Sequence, residues 1–246
     1  MLTLLTNLAT TPNRLIPAAG DGETFSLLSQ SAFPAILLDG TLSAKTLLAQ
    51  DNQGLLTESE YAKFLRDMQL RKHGQLIADL QSGFGSPLNT YYAAQDLERS
   101  GADILLLNDQ KYPSHSTNHP ATTSAEDLLG KARAAQDALE NPATELWIKL
   151  EGIKEYGVQE AQNRITYLAN AGADAIIISH YQSEQLQALL DGHSKLPLLA
   201  TWTPDTQPIT GLAGWLDTGY LAQQAQTARQ DALNKLLEGA IQYAEK

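Results

Sequence analysis

The chain has 246 residues, 43% hydrophobic and 18% charged, with a formal net charge of −11; that suits one α/β barrel or doubly wound sheet with a sizeable core. The acidic balance leaves no basic stripe for phosphates, so neither a nucleic-acid partner nor an anionic membrane surface is expected. No cysteine is present, which removes disulfides, thiolate metal sites and thiol nucleophiles.

The opening "MLTLLTNLATTPNRL" has no cationic lead, and Thr and Asn interrupt its apolar stretch, so it does not read as a signal peptide. No run reaches ~18 consecutive apolar residues, so no membrane span is expected and the compartment is read as cytoplasmic. Next come short apolar runs: "RLIPAAG", "PAILLDG", "GQLIADL", "ADILLLND", "ELWIKLEG", "ADAIIISH", "LPLLATW" and the weaker "LAGWLD". They are apolar without alternation, as strands covered on both faces are. Helical periodicity lies between them over Thr57 to Arg71, Asn89 to Ser100, Ser124 to Glu140, Val158 to Ala171 and Ser183 to Leu190. Pro87 with Asn89 marks one helix start, and "TSAED" offers a capping box at Ser124. An amphipathic helix is expected from about 220 to 245, with Leu221, Ala225, Ala232, Leu236, Leu237 and Ile241 as its apolar contacts.

One internal echo supports a repeating unit. "LERSGADILLL" recurs as "YLANAGADAIII", with Gly101 and Gly172 in matching places. A glycine ending each helix straight before a strand implies β-then-α order and a parallel sheet. Eight candidate strands predict one closed (β/α)8 barrel domain over 1–246; an open sheet is the alternative.

In such a barrel, functional groups gather at the C-terminal strand ends. Successive strands would deliver Asp39 and Gly40; Asp79 and Gln81; Asn108 and Asp109; Lys149 and Glu151; Ser179 and His180. Oxygen-rich with one or two cations, this set suits a hard metal such as Mg²⁺, or an anionic substrate with a developing oxyanion. Each piece also has a structural reading. A strand-end Asp commonly caps the next helix, Glu151 can pair with Lys149, and "SGFGSP" can be a tight turn. That turn fits neither a phosphate loop nor a dinucleotide fingerprint. His115 and His119 stand four apart but lack a third ligand for zinc.

The stretch "DLQSGFGSPLNTYYAAQDLERSGADILLLNDQKYPSHSTNH" resembles the phosphoenolpyruvate mutase and isocitrate lyase superfamily. "SAFPAILLDGTLSA", "DNQGLLTESEY" and "KLEGIKEYGVQEAQNRITYLANAGADAIIISH" extend the likeness over about Ser31 to Thr201. The resemblance implies a (β/α)8 barrel, usually oligomeric by exchange of a C-terminal helix. It also implies Mg²⁺ and a lyase or mutase reaction on a 2-oxo acid, through a metal-stabilised enolate.

Carried over residue by residue, Asp79 matches the direct metal ligand. Gln81 and Asn108 stand where the family has carboxylates. Lys149 replaces an Arg that holds substrate anions, and its partner Glu151 is retained. Asp39, with Gly40 and Thr41, occupies the turn beside the substrate carboxylate, where the family has Ser. Asp51 matches a loop Asp near the reacting group. The gate from Tyr112 to Pro120 has the mutase length but carries Ser114 and Ser116 in place of Lys and Asn. The lyase branch's acid Cys is absent. The candidate catalytic set is therefore Asp51, Lys149 and Ser116; the substrate set Asp39, Gly40, Thr41, Lys149 and Glu151; and the metal set Asp79, Gln81 and Asn108. A small anionic substrate and a homo-oligomer are expected. Two readings stand: a divergent enzyme, or a non-catalytic barrel with a binding or structural role.

Overall fold

The computed structural model describes residues 4–10, 14–115 and 121–244. Nine strand segments form one all-parallel sheet: β1 (Leu15–Ile16), β2 (Ala18–Ala19), β3 (Ala35–Leu38), β4 (Gln75–Gln81), β5 (Ile104–Asn108), β6 (Glu145–Leu150), β7 (Ala175–Ile178), β8 (Leu198–Trp202) and β9 (Gly214–Asp217). Every expected apolar run is one of them. The expected first strand is split at Pro17, whose nitrogen cannot donate to a ladder. Its first half pairs with β9 and its second half with β3. β1 and β2 thus share one position, and nine segments close an eight-position ring.

Among the described residues the helices are α1 (Leu4–Thr10), α2 (Gly22–Ser29), α3 (Gly40–Leu48), α4 (Glu58–Gln69), α5 (Pro87–Arg99), α6 (Ala125–Ala138), α7 (Ile153–Asn170), α8 (Ser183–Asp191) and α9 (Tyr220–Ala244); they separate successive strands except β1 from β2 and β8 from β9. Helices α4, α5, α6 and α8 follow the expected periodic segments to within about two residues at each end. Helix α7 starts earlier than expected, because a turn before Gly157 (φ 80°, ψ 173°) joins the helix that follows. Helices α1, α2 and α3 lie outside the periodic segments expected from the sequence. Among the described residues, no helix is long and apolar enough to cross a membrane.

The Gly-Ala-Asp echo is one structural device used twice. Gly101 and Gly172 take positive φ of 105° and 91° at the ends of α5 and α7. The next amide reaches back to close the helix: Ala102 N to Leu97 O at 3.2 Å, and Ala173 N to Leu168 O at 3.1 Å. This is the Schellman arrangement, which glycine permits without a Cβ penalty. The Asp then locks the neighbouring strand. Asp103 Oδ2 accepts from Leu76 N at 2.7 Å, and Asp174 Oδ2 from Leu146 N at 2.8 Å.

Strand periodicity sorts the side chains. Ile36, Leu38, Leu105, Leu107, Ile148 and Leu150 face the helices in one buried cluster. Their alternates Ala35, Leu37, Ile77, Leu106, Trp147 and Ile177 fill the barrel interior, where Leu4 and Leu8 of α1 join them. The same period of two carries Asp39, Asp79, Asn108, Lys149 and Glu151 onto the inward face, above the apolar plug. The interior is packed below and polar at the mouth.

Candidate active site

Asp79 is the centre of the mouth. It is 7% exposed. The register between β4 and β5 shifts after it, and Gln81 takes a φ of 54°. This bulge turns the Gln81 amide back, so that its N–H donates to Asp79 Oδ1 at 2.8 Å. The Gly40 N–H donates to Asp79 Oδ2 at 3.0 Å. Glycine is needed there, because a Cβ on residue 40 would lie 2.8 Å from that oxygen and 2.6 Å from Gln53 Oε1. Behind the site, the Asp79 amide donates to the Tyr61 hydroxyl at 2.7 Å, and that hydroxyl donates to Leu38 O.

Lys149 and Glu151, two residues apart at the end of β6, form the second centre. Lys149 Nζ lies 2.5 Å from Glu151 Oε1, with side-chain exposures of 13% and 2%. Glu151 Oε2 accepts from the Gln110 side chain and lies 3.0 Å from His115 Nε2. Asp109 completes the frame: its Oδ1 takes the Glu151 amide and its Oδ2 the Tyr156 hydroxyl, each at 2.8 Å. Arg164 stacks 4.3 Å over the Tyr156 ring.

The charges are interdependent. Burial, and then the Asp39 carboxylate, push the Asp79 carboxyl up to about 6 against the pull of Lys149 and His115. Burial also opposes ionisation of Glu151, but Lys149 and His115 outweigh it and hold that carboxyl well below the usual range. Burial lifts Asp109 to about 6, although the Glu151 amide and the Tyr156 hydroxyl favour its anion.

The segment after β5 lies over this cluster. Ser114 Oγ accepts from Gln53 Nε2 at 2.7 Å, and His115 Nδ1 lies 2.6 Å from the same nitrogen. Thr41 Oγ1 donates to Gln53 Oε1 at 3.2 Å. Thus Gly40, Thr41, Asp79, Lys149 and Glu151 come together as the strand-end rule requires. Asp39 sits beside them and caps α3, its Oδ1 taking the Leu42 amide at 2.8 Å. Asn108 Oδ1 is occupied by the Gln110 amide at 3.1 Å. Asp51 is not brought to the cluster: its side chain is 77% exposed and lies 3.1 Å from Lys45 Nζ. Ser116 and His119 lie outside the described residues, as does the gate from 116 to 120. Sequence reasoning did not single out Gln53, Gln110 or Tyr61, and it set His115 aside with the zinc question. The retained Glu151 was the available signal for His115, since a buried carboxylate needs partners.

A divalent ion can be tested against these groups. Among the described residues, no three His, Cys, Asp or Glu side chains converge on a common point. Gln81 Oε1, however, is buried without a hydrogen-bond partner among these residues, on the residue whose amide donates to Asp79. A carboxylate and an unpaired amide oxygen fit a hard cation whose shell is completed by water and ligand oxygens.

A closed parallel barrel with a buried charged cluster at its C-terminal mouth defines a (β/α)8 protein with a site in the usual place. The chain belongs to the phosphoenolpyruvate phosphomutase family, whose profile matches residues 5–220. It is 28% identical to 2,3-dimethylmalate lyase of Eubacterium barkeri, over 69% of this chain and 59% of that enzyme's length. It is 26% identical to an oxaloacetate decarboxylase of Rhodopseudomonas palustris (strain HaA2), over 83% and 68% of the two chains. The fold superposes on phosphonopyruvate hydrolase in complex with oxalate and Mg²⁺ at a TM-score of 0.84 and 22% identity, covering 97% of this chain and 88% of the other. Phosphoenolpyruvate phosphomutase from Streptomyces platensis subsp. rosaceus gives 0.84 and 21%, over 96% and 87%.

Proposed function

We propose that the chain is a lyase or mutase that breaks or moves a C–C or P–C bond beside the carbonyl of a small 2-oxo acid, through an enolate. The observation that carries this is the buried Lys149–Glu151 pair facing the buried Asp79 at the barrel mouth. Two anions and a cation held out of water make a strong local field, suited to an anionic substrate whose charge moves during reaction.

In this reading Lys149 binds a substrate carboxylate or phosphonate, and Glu151 fixes the direction of its ammonium. Asp79, with Gln81 Oε1, would hold Mg²⁺. The ion, when bound, would stabilise negative charge developing on the substrate carbonyl oxygen. The segment at Ser114 and His115 closes over the site and keeps water from the enolate. Asp51, which the family resemblance places near the reacting group, would have to leave Lys45 to take part. The test is turnover of oxaloacetate and phosphonopyruvate with Mg²⁺, followed by NMR, beside calorimetric titration with oxalate. Pyruvate, or phosphoenolpyruvate formed from phosphonopyruvate, is expected from at least one substrate. If neither reacts and oxalate does not bind at millimolar concentration, the barrel is non-catalytic.

The same reading includes a homo-oligomer. Along α9, Leu233, Leu236 and Leu237 are 47%, 72% and 56% exposed in the single chain. The apolar contacts expected of Leu236 and Leu237 are therefore not made within one copy, and a second copy would cover them. Light scattering at micromolar concentration should give a multiple of 26.7 kDa; the monomer mass alone would exclude this assembly.

A further inference from the structure

We propose that His115 is the acid–base residue of this site, giving a proton to the enolate carbon after bond cleavage and able to take one back; the inference rests on the reaction proposed above. The geometry points to it. His115 is held at its backbone by Gln110, whose Oε1 accepts the His115 N–H at 2.8 Å. Its φ is 52°, a conformation that non-glycine residues adopt only where their surroundings impose it. Both ring nitrogens are engaged: Nε2 with Glu151 Oε2 at 3.0 Å, and Nδ1 with the Gln53 amide at 2.6 Å.

Gln53 makes the pair unusual. Its side chain is fully buried, and its side-chain partners among the described residues are Thr41 Oγ1, Ser114 Oγ and His115 Nδ1. Two of these are hydroxyls, which donate or accept equally well. With Nε2 toward Ser114 and His115, the amide donates to a neutral ring that keeps its proton on Nε2, facing Glu151. Turn the amide by half a revolution and Oε1 accepts from Nδ1–H of the imidazolium and from the Ser114 hydroxyl, while Nε2 donates to Thr41. Every partner stays satisfied in both arrangements. The site therefore accommodates a neutral and a cationic His115 with Thr41, Ser114 and His115 each still hydrogen-bonded, the second arrangement leaving only one N–H of the Gln53 amide without one of these partners.

The groups facing His115 are Glu151 and Lys149 from the end of β6 and Asp79 from β4, with His180 beyond β7. Burial disfavours the imidazolium, but Glu151 outweighs it and raises the ring above its ordinary value. Glu151 also has Lys149 and Gln110 as partners, so Nε2 can be given up to substrate. The step balances. The bond beside the carbonyl breaks, its electron pair enters the enolate, and the other fragment leaves without that pair, as CO₂ from oxaloacetate or as a phosphoryl group taken up by water from phosphonopyruvate. The enolate carbon then takes the proton from the ring, restoring the carbonyl and leaving neutral imidazole, which recovers a proton from solvent. In reverse, neutral His115 removes a proton from the methyl carbon of pyruvate.

That reverse step is the assay. In D₂O with Mg²⁺, the wild type should exchange the methyl protons of pyruvate for deuterium, read by NMR. His115→Gln should lower the exchange rate by about 10²–10⁴-fold and abolish the limb of the pH–rate profile that the imidazole provides. Oxalate affinity by calorimetry should stay within about threefold of wild type. His115→Asn, which tolerates a left-handed backbone, is the second variant should the Gln variant misfold. If the wild type neither binds oxalate nor processes any oxo acid, the functional reading fails. If the wild type works and both variants exchange at its rate with its pH profile, His115 is not the acid–base residue.

Discussion

Lys149→Ala is expected to cost both stability and turnover. Its ammonium is the main charge that keeps Glu151 ionised in a site where that carboxylate is 2% exposed at its side chain. Removing one member of a buried ion pair typically costs about 3–5 kcal/mol, because the other charge is left desolvated. For a chain of this size that is on the order of 10 °C in melting temperature. Part of the loss should return in the double variant Lys149→Ala with Glu151→Leu, which removes both charges, whereas activity should not return. In the proposed reaction Lys149 is the cation that positions the substrate anion, so turnover of the oxo acid should fall at least about 10³-fold. A melting temperature within about 2 °C of wild type would mean that the pair is not structurally coupled as described.

Asp79→Asn should remove metal binding and turnover together, for a reason local to two hydrogen bonds. Asp79 accepts from the Gly40 amide through one oxygen and from the Gln81 amide through the other. An Asn offers one oxygen and one NH₂, so one of those backbone N–H groups would face another donor. The variant also loses the anionic charge opposite Lys149. Calorimetry should show Mg²⁺ binding to the wild type and to Lys149→Ala, and none to Asp79→Asn up to ~10 mM, a bound set by the single-carboxylate site. Turnover should drop by at least about 10²–10³-fold. Retained Mg²⁺ binding in Asp79→Asn would move the ion elsewhere and dissociate Gln81 Oε1 from it.

The order of elements was legible because its signals are local. Apolar runs mark strands buried on both faces, and Gly101 and Gly172 end their helices through contacts that span five residues. The mouth residues Asp79, Asn108, Lys149 and Glu151 followed from one rule, since a period of two and a parallel sheet bring every strand end to the same side. Pro17 could be read as a residue but not as the break that lets one strand serve both neighbours in the ring.

Which atom faces which was decided only by the closed barrel. Asp51 and Asp39 are both carboxylates beside α3, yet one pairs with Lys45 at the surface and the other lies next to Asp79. The pairing of Gln53 with His115 joins residues 62 apart in the chain, and that of His115 with Glu151 joins residues 36 apart. No periodicity or spacing encodes such contacts. The sequence alone determined the fold and the side of the barrel on which charge collects. Ring closure, the bulge after Asp79 and the docking of the segment at Ser114 and His115 decided how that charge is arranged, because they are set by packing among elements distant in sequence.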